Sequence, residues 1–178
     1  PYKGSFDITK RGDNHQYKNI IMGKKNETEF AICDFIYETG GGEDTNVHHE
    51  TIIALMNPNI HMPYFYCRDK IIFIDSIGKM FGGQAIDFEK DKKFSKKFVL
   101  QGHSEPKIRQ MFNAELRKAF VSNHIHGAQY EGVSNTFIIC YNKFLENTER
   151  NQFLMKAIKI FQPIYNQNLD SLDNLPQN

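Results

Sequence analysis

Residues 29–38 constrain the fold more than any other stretch of this chain. Phe30, Ile32 and Ile36 fall on one parity of an extended chain, and Ala31, Cys33, Phe35 and Tyr37 on the other. Apolar side chains on both parities describe a strand covered on both faces, interrupted by Asp34. Gly40-Gly41-Gly42-Glu43-Asp44 then makes a turn, and residues 45–56 return as a strand rich in Thr, Val and Ile. The two form a long hairpin. A chain built around such a unit needs a layer on each side of its sheet.

The other segments extend the pattern. Residues 15–22 read as a strand ended by Gly23, and residues 60–67 as another, where Pro63 marks an edge or a bulge. Phe73, Ile77, Met80 and Phe81 share one helical face over 71–81, with Gly82-Gly83 as the stop. Residues 98–101 form a short strand. Ser104 and Asn113 are placed to cap two short helices, carrying Ile108, Met111 and Phe112 and then Leu116, Ala119 and Phe120. Residues 124–132 and 135–142 make a second hairpin. Asn147 or Thr148 caps a final helix over 149–162, with Leu154, Ala157, Ile158 and Phe161 on its apolar face. Pro163 ends or bends it. The expected architecture is α+β: an antiparallel β-sheet with flanking short helices and a C-terminal helix. A single domain is expected over 1–165, with a polar, flexible tail over 166–178 and a loose polar segment over 1–14.

Composition narrows the function. The chain has 178 residues, enough for a sizeable core, and 15 Phe support one. A net charge of +1 argues against a dedicated nucleic-acid binder. Cys33, Cys67 and Cys140 stand far apart with no CxxC, which points to a reducing, cytoplasmic compartment. No apolar run is long enough to span a membrane. The opening at Pro1, without a signal peptide, is that of a processed or truncated piece, so a longer protein can still carry an anchor.

Few residues suggest chemistry. The Gly40–Gly42 run joins two strands and is followed by two acids, unlike a phosphate loop. Cys67 lies beside Arg68, which would lower its pKa if the thiol were exposed. His124 and His126, at spacing two on a strand, share a face and form a candidate transition-metal pair. A further ligand would come from His49, His61, His103 or Cys67. Adjacent His48 and His49 point to opposite faces of their strand. Lys92, Lys93, Lys96 and Lys97, interleaved with Phe94 and Phe98, form the strongest surface for a protein partner or an anionic membrane. A solvated charged loop is the plainer reading of the same run.

Three stretches carry a resemblance. They are Phe35–Gly42 with its return strand through Thr51, the run Ile77-Gly78-Lys79-Met80-Phe81-Gly82-Gly83-Gln84-Ala85-Ile86-Asp87-Phe88, and Phe94–Gly102 leading to Met111-Phe112. From about Asn19 to Phe120 the chain resembles a family of uncharacterised bacterial proteins. Members often carry membrane-spanning segments before this domain, so the resemblance implies a soluble part tethered to the membrane. It carries no activity and no catalytic residue. Glu43 and Asp44 depart from the more basic loop of the family, which weakens anion binding there. The expectation is a non-catalytic binding module of a membrane-associated bacterial protein. The alternatives are a metal-dependent enzyme built on His124 and His126, and a structural domain that helps a larger membrane protein assemble.

Overall fold

The computed structural model describes residues 6–71 and 85–173. The helix expected over 71–81 and most of the Ile77–Phe88 run lie outside the described residues. Seven strands form one antiparallel sheet: β1 (Asp13–Lys25), β2 (Thr28–Thr39), β3 (Asn46–Met56), β4 (Met62–Asp69), β5 (Phe98–Gly102), β6 (Ala128–Ser134) and β7 (Thr136–Tyr141). Their order is β1-β2-β3-β7-β6-β4-β5. The β6–β7 hairpin therefore lies between β3 and β4, which are consecutive in sequence. Among the described residues four α-helices accompany the sheet: α1 (Lys92–Lys97), α2 (Glu105–Met111), α3 (Ala114–Ser122) and α4 (Asn147–Asp173). The α+β expectation holds.

The two-sided character of residues 29–38 is realised in β2. Ile32 enters one core, with Ile53, Phe65, Phe94, Phe98, Phe112, Phe120, Phe137 and Phe161, and the four α-helices supply residues to it. Cys33, Phe35 and Tyr37 enter a second, smaller core on the opposite face. There the rings of Tyr17, Phe35, Tyr37 and His48 stack in succession at 5.0, 5.2 and 4.6 Å.

Residues 6–12 cover this second face, contrary to the loose segment expected. Phe6 and Ile8 are buried in it. The backbone N–H groups of Asp7 and Ile8 each donate to Glu131 at 2.9 Å, and the Tyr64 hydroxyl donates to Asp7. An apolar pair within a polar segment suffices when an exposed sheet face needs a cover.

Other differences follow from packing. The Gly40–Gly42 run is a hairpin turn, with Gly40 and Gly42 at positive φ. Pro63 lies at a register shift against β6, so the bulge reading holds, although β4 is an interior strand. Asn113 accepts from Leu116 N at 2.9 Å as a cap, whereas Ser104 makes no capping bond. The charged run after Asp91 is helical: Asp91 accepts from Phe94 N, and Phe94 is buried. The second hairpin begins at Ala128 rather than residue 124, because Gly127 turns the chain at φ +79°.

α4 passes through Pro163 and continues to Asp173, where a flexible tail was expected. Proline removes one backbone donor. Burial of Ile160, Phe161 and Ile164 outweighs that loss. The buried face is Phe153, Ala157, Ile160, Phe161 and Ile164, one position away from the expected stripe, and Ile158 faces solvent.

Candidate functional site

The four lysines of the basic run lie on α1, and all four are exposed while Phe94 points inward. Phe94 stacks on Phe98 at 5.1 Å and meets Phe88, Phe112 and Phe120 edge-on. A six-residue helix has little stability alone. This one is held by its Asp91 cap and its phenylalanine anchor, so Lys92, Lys93, Lys96 and Lys97 project from a fixed base. None of them forms an ion pair among the described residues. Arg117 pairs with Asp91 at 2.9 Å and lies over the Phe88 ring at 4.3 Å. Arg109 lies over the same ring at 5.3 Å. Asp87, Phe88, Glu89, Lys90, Arg109 and Arg117 line a cleft beside this helix.

His124 and His126 are not on a strand. They lie in the loop between α3 and β6, and they converge on Asp69 at the end of β4. His124 Nε2 is 2.9 Å and His126 Nδ1 3.4 Å from Asp69 Oδ2. The three ligand atoms lie within 4.8 Å of one another. Burial alone would raise the Asp69 carboxyl, but the N–H groups of Gly127 and Ile71 and the His124 ring hold it below its ordinary value. The Phe98 ring meets His124 edge-on at 5.1 Å and fixes its plane.

The third ligands expected from sequence are elsewhere. His49 packs on Phe144, His103 on Tyr64, and the His61 N–H donates to Asn168 on α4. Cys67 is fully buried, and burial pushes its thiol well above the ordinary range, so Arg68 does not activate it. Nothing in the local sequence marks Asp69 as a partner of the two histidines. It ends β4 two residues after Cys67, and only the return of the α3–β6 loop brings histidines to it.

A second polar cluster was not legible either. Arg11 donates to Glu50 at 2.6 Å, the Cys140 thiol donates to the same Glu50 oxygen at 2.8 Å, and Tyr37 donates to the other at 3.2 Å. Burial holds Cys140 protonated. On the edge nearer β1, Asp34 accepts from Arg150 of α4 and from Asn19 of β1. These groups satisfy one another and pin the covers to the sheet.

No protein-family model matches the chain, and no curated protein matches it in sequence. Among solved structures, the fold is similar to the crystal structure of the mycobacterial trehalose monomycolate transport factor A, TtfA. The TM-score is 0.60 over 90% of this chain and 83% of that one, at 12% identity. At that identity the likeness is one of fold. Among the described residues no helix is long and apolar enough to cross a membrane.

Proposed function

We propose that this chain is a non-catalytic binding module of a membrane-associated assembly, and that the lysine face of α1 meets an anionic membrane surface. One observation carries the reading: Lys92, Lys93, Lys96 and Lys97 are exposed together on a short helix locked to the core by Phe94. Such a helix is rigid where a charged loop would be mobile, so less ordering is needed on contact. The fold likeness to a transport factor is compatible with a protein that works by contact rather than turnover. The buried thiols and the paired charges of the sheet are accounted for by stability. They offer no exposed nucleophile.

Each lysine near an anionic surface contributes about 1 kcal/mol, so four contribute about a thousandfold in affinity. Co-sedimentation with phosphatidylserine-containing vesicles measures it. Binding is expected to fall with added salt and to vanish in K92E/K93E/K96E/K97E. Equal binding of the wild type and the variant would refute the reading. So would equal binding to vesicles of phosphatidylcholine alone.

A further inference from the structure

We propose that Asp69, His124 and His126 form a three-ligand site for a divalent transition metal, zinc-like in its preference, with one coordination position open to solvent. The inference does not depend on the reading of α1.

Three features of the loop support it. First, the ligand types are right: two imidazoles and a carboxylate suit zinc and its neighbours, and three protein ligands are typical of a site that keeps an open position. Second, two of the three ligand spacings are near the tetrahedral value, and all three ligand atoms lie within 4.8 Å of one another. Ligand atoms about 2.0–2.1 Å from a tetrahedral metal lie roughly 3.3 Å apart. Here the two histidine nitrogens are 2.9 and 3.4 Å from Asp69 Oδ2. Third, accessibility is graded. The Asp69 side chain is 2% exposed, that of His124 19% and that of His126 73%. The site has a protein-facing floor and a solvent-facing mouth.

The hydrogen-bond geometry adds a fourth reason. Asp69 Oδ2 already accepts from Gly127 N at 3.0 Å, and both histidine nitrogens face the same oxygen. Three nitrogens crowd one carboxylate oxygen, which offers about two lone-pair sites. The other oxygen accepts from the Ile71 N–H at 3.3 Å. A cation at the point of convergence turns two of those approaches into coordination. Arg68 donates to the Asp69 carbonyl and Lys156 to the His124 carbonyl, both on backbone oxygens.

The test uses the full chain without a histidine tag, stripped with EDTA and dialysed against Zn²⁺ or Co²⁺. Elemental mass spectrometry reads the stoichiometry, and visible absorption reads the Co²⁺ geometry. One equivalent of metal is expected, with tetrahedral Co²⁺ bands and a Zn²⁺-dependent rise in melting temperature. H126A is expected to lower affinity roughly tenfold or more. Because His126 is exposed, its circular dichroism and melting temperature in EDTA should match the wild type. D69N removes the anionic ligand; if that variant fails to fold, H126A decides. Absence of bound metal overturns the proposal. So does equal binding by the wild type and H126A, which would place the metal on other surface histidines.

Discussion

Arg11 and Glu50 form a largely enclosed ion pair at 2.6 Å that ties the N-terminal cover to the middle of β3. The Arg11 side chain is 16% exposed and that of Glu50 6%. Arg11 also donates to the Ile8 carbonyl at 2.9 Å, so one guanidinium holds both its own turn and the sheet. Removing it leaves the Glu50 carboxylate with Tyr37 and the Cys140 thiol but, among the described residues, no counter-charge. R11M is expected to cost roughly 3 kcal/mol, and R11M/E50L to recover much of that. Urea unfolding of the two variants checks it. Limited proteolysis should cut near residue 11 in R11M before it cuts the wild type.

Glu131 makes stability depend on pH. Burial pushes its carboxyl from 4.5 up to about 7, against the Ile8 and Asp7 N–H groups, which lower it. Below pH 4.5 the group is protonated in both folded and unfolded chains and has no effect. Between 4.5 and 7 the folded state holds the proton that the unfolded state releases, so stability falls as pH rises. Above about 7 the cost is constant, at about 3 kcal/mol. Urea midpoints at pH 5 and pH 8 should show wild type losing about 2 kcal/mol relative to E131Q. A difference of the opposite sign would show that the two N–H donors outweigh burial.

Gly132 on β6 leaves room for Phe65 on β4. A Cβ at Gly132 would lie 2.2 Å from the Phe65 ring. Phe65 is fully buried and meets Phe112 edge-on at 5.0 Å, so it has nowhere to retreat. G132A is expected to destabilise by roughly 1–3 kcal/mol through overpacking. F65L/G132A should be less destabilised than the sum of its single changes, as thermal unfolding would show.

The three cysteines should be chemically silent in the folded state. All three are free and buried. Burial raises each thiol, Cys33 to about 11 and the other two well above the ordinary range. Thiolate is the reactive form, so a thiol-specific chromogenic reagent should label none of them at pH 8 until urea is added. Rapid labelling of Cys67 without denaturant would show that β4 is more open than its burial indicates.

Local patterning determined a good deal of this protein from sequence alone. Alternating and two-sided apolar runs placed most strands, because extended backbone puts successive side chains on opposite faces whatever lies beyond. The Asn113 cap and the inward faces of the two short middle helices were legible for the same reason, as was the hairpin turn at Gly40–Gly42. The Lys92–Lys97 cluster was visible as charge, and Phe94 as its apolar partner. Only the tertiary structure decided which strand lies beside which, since insertion of β6–β7 between β3 and β4 depends on contacts remote in sequence. It also decided that α4 outlasts Pro163, that Phe6 and Ile8 become core, and that Glu50, Glu131 and Asp34 are buried with partners. Asp69 meets His124 and His126 for the same reason: His124 lies 55 positions after Asp69, and no local periodicity encodes a meeting across α1, β5, α2 and α3. The histidine spacing was there to be read, but the carboxylate that completes it belongs to the fold.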